Sequence, residues 1–162
     1  MENRWSGQVM DRAAAAAWAM DMRAAGRARV FTNGCFDLLH RGHVDYLQRA
    51  RGLGDALVVG LNGDASVRLL KGAGRPILPE ADRAAVLASL RAVDVVVIFH
   101  EPTAEALVAA LQPALYVKGG DWDGTKRTPP EAAVALSYGG RVQTIPYLPG
   151  RSTSEIVAQI RS

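Results

Sequence analysis

Along most of this chain, short apolar runs rich in β-branched residues alternate with segments whose apolar positions recur every three to four residues. The runs fall at 28–33, 56–61, 93–99, 114–118 and 141–145, with helical patterns at 42–53, 64–71, 80–91, 103–111, 130–138 and 153–161. Side chains share a face every 3.6 residues on a helix and every second residue on a strand, so the two patterns are distinguishable. Strands alternating with helices predict an α/β fold: a Rossmann-like, doubly wound parallel sheet of five strands with helices on both faces. The run 93–99 is almost uninterrupted Val, Ile and Phe, as expected of a strand buried on both faces. Upstream, residues 1–8 are polar and read as loose, whereas the alanine-rich stretch 9–25 reads as a packing helix stopped by Gly26. The expected division is a helical extension at 1–27 and a main domain at 28–162.

Open parallel sheets bind ligands at the carboxyl ends of their strands, where strand order reverses. Gly34, Asn62 and Gly119 each follow a predicted strand and should share one mouth. Two long irregular connections, 71–79 and 119–130, are lid candidates. Composition narrows the class. A chain of 162 residues with 49% apolar content suits one domain with a full core. No apolar run is long enough for a membrane span, and the N-terminus lacks a signal-peptide pattern. The single cysteine, Cys35, allows no internal disulfide, so a cytoplasmic location is expected. The net charge of +3 comes from scattered arginines, without a basic run or interleaved aromatics, which argues against nucleic-acid binding.

The stretch Thr32-Asn33-Gly34-Cys35-Phe36-Asp37-Leu38-Leu39-His40-Arg41-Gly42-His43 carries the strongest chemical signal. A strand runs into a glycine turn and then into a helix that opens on two histidines. Helix starts present unpaired N–H groups and a positive dipole end, and Gly34 permits close backbone approach. The arrangement suits phosphate. Surface caps and a zinc pair are the competing explanations of His-x-x-His, but only His100 remains to add to a metal shell. His100 itself reads as a surface residue.

Further on, Arg151-Ser152-Thr153-Ser154-Glu155 precedes the last helix. It reads as a capping box with Ser152 at the N-cap, and equally as a second phosphate cradle. Lys71 ends a helix, where it either complements the dipole or closes on phosphates together with Arg75. Lys118-Gly119-Gly120-Asp121 follows a strand; its glycines could admit a ligand and its aspartate could accept hydroxyl hydrogen bonds. Asp37 could do the same, or stabilise its own turn. Trp122 suits packing or stacking.

Residues 34–43 resemble the G-x-F-D-x-x-H-x-G-H signature of the cytidylyltransferase-like nucleotidyltransferases. Within that superfamily, Leu53-Gly54-Asp55, the segment 58–67, Leu70-Lys71-Gly72, Arg75-Pro76-Ile77, Val117-Lys118-Gly119-Gly120-Asp121 and 151–156 are similar to the branch of adenylyltransferases acting on D-glycero-β-D-manno-heptose 1-phosphate. The segment from Trp122 to Pro130, with Lys126 and Arg127, fits that branch least well.

The resemblance implies transfer of AMP from ATP to a heptose 1-phosphate, with pyrophosphate released and ADP-heptose formed for glycan assembly such as lipopolysaccharide. It implies His40, His43 and Lys71 as catalytic residues. Nucleotide binding would fall to Thr32, Asn33, Gly34, Cys35, Phe36, Gly42, Asn62, Arg75, Arg151, Ser152, Thr153 and Ser154. The sugar phosphate would meet Asp37, Lys118, Gly119, Gly120 and Asp121. Mg²⁺ would bridge the triphosphate, held mainly by phosphate and water; a homodimer and a separate sugar kinase upstream are also expected. The alternatives are a cytidylyltransferase for a polyol phosphate such as glycerol 3-phosphate, a non-catalytic nucleotide-binding module, and a class I aminoacyl-tRNA synthetase fragment. The last is disfavoured because the chain has no Lys-Met-Ser-Lys-Ser motif.

Overall fold

The computed structural model describes residues 7–120 and 128–162. Six strands, β1 (Gln8–Val9), β2 (Arg29–Gly34), β3 (Ala56–Asn62), β4 (Val95–Phe99), β5 (Leu115–Gly119) and β6 (Arg141–Ile145), form one sheet in the order β1-β4-β3-β2-β5-β6. All its pairings are parallel. Among the described residues, seven helices accompany them: α1 (Arg12–Ala24), α2 (Arg41–Arg51), α3 (Asp64–Lys71), α4 (Glu80–Ala88), α5 (Glu105–Leu111), α6 (Pro130–Ser137) and α7 (Thr153–Arg161). This is a doubly wound, Rossmann-like α/β fold. Among the described residues, no helix is long and apolar enough to cross a membrane.

Alternate residues of each central strand feed two cores. On one face Val30, Leu57, Val59, Val96 and Val117 pack with Leu47 of α2 and Leu87 of α4. On the other, Phe31, Val58, Val97 and Tyr116 pack with Ala15 of α1, Leu107 of α5 and Ala132 of α6. Every residue of β3 is buried, whereas edge strand β6 alternates between exposed and covered positions. Burial on two faces thus produces a continuous apolar run, and burial on one face produces alternation.

The sheet has one strand more than the five expected. Strand β1 pairs only Gln8 and Val9 with Val95 and Val96, too short a stretch to leave a periodic signal. It also delays the first helix to Arg12, where Asp11 caps the start by accepting from the Ala14 N–H at 2.8 Å. The expected strand at 93–99 begins at Val95. Its polar interruption is the cause: the Asp94 carboxylate accepts from the Leu57 N–H at 2.7 Å and pairs with Arg51. Helix α1 contributes Ala15 and Ala19 to the same core as α5 and α6, so residues 12–24 are packed into the domain.

Strand β2 lies at the centre. The chain proceeds from it to β3 and β4 on one side, then returns to lay β5 and β6 on the other. Strand order therefore reverses between β2 and β5, and a crevice opens at their carboxyl ends. Gly34 and Gly119 are the last residues of those two strands.

Candidate active site

The connection 35–40 turns β2 into α2. Phe36 takes a left-handed conformation, φ 43°, which is strained for a residue with a side chain. Its ring is buried and stacks obliquely on His43, with centroids 5.4 Å apart. His40 is the N-cap of α2. Its Nδ1 accepts from the Gly42 N–H at 3.1 Å, and the Nδ1 of His43 accepts from the His40 N–H at 3.4 Å. Two histidines therefore make the reciprocal cap that Ser and Glu usually supply. The bonds fix the tautomer: Nδ1 accepts, so in each neutral ring Nε2 carries the hydrogen. Burial holds His43 down at about 4, helped by neighbouring His40. Burial also lowers His40, with Glu155 opposing and Arg151 assisting. Both rings are neutral donors at pH 7, with centroids 4.0 Å apart.

Gly42 is needed for this geometry. A Cβ there would lie 2.9 Å from the His40 ring and 3.1 Å from Arg151 Cβ. The second contact shows that α7 begins beside α2. Thr153 Oγ1 donates to Leu38 O at 3.1 Å, tying the two starts together. Ser152 caps α7 as expected, accepting from the Glu155 N–H at 3.1 Å. Arg151, Ser152, Thr153 and Ser154 thus join His40 and His43 in one place, with two helix N-termini converging on it.

Asp37 holds the connection between α3 and α4. Its buried carboxylate accepts from Arg75 Nε at 2.6 Å, from the Ile77 N–H at 2.9 Å and from the Leu78 N–H at 3.0 Å. Burial alone would raise its pKa, but these donors outweigh it and hold the carboxyl below its usual range. Both oxygens are engaged by groups 38–41 positions away, so Asp37 braces the connection between α3 and α4 rather than its own turn. Arg75 is correspondingly positioned by Asp37 at the mouth. Lys71, at the end of α3, is exposed. Burial raises the Cys35 thiol, and the positive charges of Lys71, Arg83 and Arg75 pull it back, so these cations lie around the connection 35–40.

Arg83 was legible in the sequence only as one more scattered charge. It is 1% exposed. Its guanidinium donates to Leu78 O at 3.0 Å, Cys35 O at 2.6 Å and Asn62 O at 2.9 Å, and pairs with Asp64 at 2.7 Å. One side chain therefore joins the ends of β2 and β3, the start of α3 and the connection between α3 and α4. The available signal was its position: Arg83 shares a face with Leu87 at i+4 and with Ala84.

Thr32, Asn33 and Asn62 have structural partners. Tyr46 OH donates to Val117 O at 3.2 Å, so Thr32 Oγ1 donates to Tyr46 at 2.7 Å. Asn33 Oδ1 accepts from Tyr116 OH at 3.0 Å. Asn62 Nδ2 donates to Ser66 Oγ at 2.9 Å. His100 is exposed as expected, although its ring sits where a Cβ on Gly63 would be, 2.4 Å from Nδ1. Lys118 is exposed at the end of β5. Gly119 and Gly120 follow it, covered by the ring of Tyr147, a residue the sequence did not single out. Asp121, Trp122, Lys126 and Arg127 lie outside the described residues.

The profile of the Cytidylyltransferase-like family matches residues 31–157. A protein from Geotalea uraniireducens named "Bifunctional protein HldE" is 55% identical over 140 residues, 86% of this chain and 28% of the relative. The protein of the same name from Acidiphilium cryptum is 54% identical over 155 residues, 96% of this chain and 32% of the relative. The chain thus spans about a third or less of the length of these relatives. Among solved structures, the lipopolysaccharide core biosynthesis protein from Thermoplasma volcanium is similar with a TM-score of 0.61 at 29% identity, covering 76% of this chain and 98% of that one.

Proposed function

This chain belongs to the Cytidylyltransferase-like family, and from that membership we propose that it transfers AMP from ATP to a heptose 1-phosphate, giving ADP-heptose and pyrophosphate. One observation carries the chemistry. Two capped helix starts, α2 and α7, converge at the strand-order reversal with two neutral imidazole Nε2–H donors between them. The heptose assignment rests on the resemblance of 53–77, 117–121 and 151–156 to that branch.

An oxygen of the sugar phosphate attacks the α-phosphorus of ATP. The bond from that phosphorus to the bridging oxygen breaks, and pyrophosphate carries the electron pair away. The attacking oxygen is already anionic at neutral pH, so no side chain has to remove a proton. The protein's task is to position the reactants and stabilise charge on the phosphate oxygens. His40 and His43 donate to those oxygens, the N–H groups of α2 and α7 add their dipoles, and Lys71 and Arg75 supply positive charge from the lid connection. Mg²⁺ would come bound to the triphosphate, supplying positive charge to its oxygens. The donor set suits that arrangement: the carboxylates of Asp37 and Asp64 are committed to arginines. Mg²⁺ held by phosphates and water fits such a site.

Pyrophosphate release across ATP, CTP and GTP, paired with heptose 1-phosphate and glycerol 3-phosphate, tests the reading. ATP with the heptose should be preferred. His40→Ala and His43→Ala should each lower kcat by about 10²–10³, the scale for losing one charge-stabilising donor, with the fold retained by circular dichroism. Preference for CTP with glycerol 3-phosphate would replace the heptose reading with the polyol one. Near-normal turnover in both variants would remove the phosphate site.

A further inference from the structure

Tyr147 stands in the connection from β6 to α7. A Cβ on Gly119 would come within 2.5 Å of its Cε1, and a Cβ on Gly120 within 3.0 Å of its Cε2. Both edges of the ring lie near the same backbone, so Tyr147 rests on it by a face. The residue is nevertheless 65% exposed, which leaves the opposite face open. Its surroundings are fixed. The Gly120 N–H donates to Ile145 O at 3.0 Å, and the Arg49 guanidinium donates to Pro146 O at 3.1 Å. Pro146 and Pro149 restrict the chain on either side. An exposed aromatic ring is therefore held in one place at the carboxyl end of β5, beside the strand-order reversal.

Four residues of extended chain span at most about 14 Å. Tyr147 precedes Arg151 by that number of residues, so its ring and the start of α7 are within reach of a single nucleotide. We propose that Tyr147 is the platform on which the nucleobase of ATP stacks, while the triphosphate lies at the starts of α2 and α7. This rests on the nucleotidyltransferase reading above and extends it to the base. A flat base matches the open face of the ring, and aromatic stacking tolerates any base because each has a π-face. Tyr147 thus supplies affinity for the nucleotide without choosing its base. The assignment gives Gly119 and Gly120 a different duty from the expected one of admitting the sugar: they make room for this ring.

Calorimetric titration of the wild type and of Tyr147→Ala, Tyr147→Phe and Tyr147→Trp with three probes tests the proposal. The probes are MgATP, magnesium tripolyphosphate and heptose 1-phosphate. Tyr147→Ala should lose about tenfold or more in ATP affinity, with KM for ATP rising and kcat falling far less. Tripolyphosphate and heptose 1-phosphate should bind as in the wild type. Phe and Trp, which keep the π-face, should restore ATP affinity. The proposal is overturned if Tyr147→Ala binds ATP normally, if tripolyphosphate affinity falls equally, or if only the sugar phosphate is lost. A wild type that binds heptose 1-phosphate but no nucleotide would instead bring down the nucleotidyltransferase reading, and this proposal with it.

Discussion

A histidine that accepts a hydrogen bond through Nδ1 and lies half-buried has its protonation decided twice over. His43 is such a residue: its bond from the His40 N–H requires the neutral ring, and burial holds its pKa at about 4 against 6.5 for a free imidazole. Between those values the unfolded chain binds a proton that the folded chain refuses. Stability therefore rises with pH across that window, is complete above 6.5, and falls as pH drops toward about 4. His40 is lowered too and acts with the same sign. Asp37 behaves differently: its carboxyl is held below 3.8, so its contribution persists until the pH falls beneath that value. Urea midpoints measured from pH 7 to 4.5 should decline in the wild type and decline less in His43→Gln. Equal decline in the two proteins would remove His43 as the source.

At the scale of elements, the 71–79 connection is fastened unevenly. Asp37 grips residues 75–78, and Arg83 holds Leu78 from beneath. Gly72 and Gly74, by contrast, have no neighbour within 4 Å of a Cβ position. Asp37→Ala should free the gripped half and speed limited proteolysis within 72–79, with ATP and Mg²⁺ restoring part of the protection. Arg83→Met should destabilise mainly because the carbonyls of Leu78, Cys35 and Asn62 lose their donor, at about 1–3 kcal/mol for each one left dry, since Asp64 keeps contact with water. A denaturation midpoint near wild type would show that water replaces the guanidinium. The helix-opening histidines and the Ser152 cap were legible in the sequence because their roles are set by neighbours a few residues away. Arg83 and Tyr147 were not, because distant segments define them: Arg83 is bonded to Cys35, 48 residues away, and the ring of Tyr147 rests on glycines of another strand. Neither role expected of Asp37 described its bonds, because they depend on where Arg75, Ile77 and Leu78 arrive from 38–41 positions away. Strand β1 was hidden by its two-residue length.

Across the whole molecule, alternating strands and helices specified the parallel sheet, and the site collects at one end of it from residues 32–43, 71–78, 118–120 and 147–154. That collection depends on strand order, which also sets an order in time. β2 meets β3 soon after it is made, but its other neighbour, β5, begins at Leu115, 81 residues beyond Gly34. At synthesis rates of about 5–20 residues per second, the central strand waits roughly 4–16 s for the second side of its pairing to leave the ribosome. Pairing across such separations is slow because loop closure precedes its reward. In pulsed hydrogen exchange during refolding, amides of β3 and β4 should gain protection before those of β5 and β6; simultaneous protection would show a single cooperative closure. Until then the edge of β2 that later helps form the crevice is an unpaired strand edge, open to other chains. The strand-order reversal at the candidate site is thus also the place where a newborn chain leaves its central strand unpaired on one side.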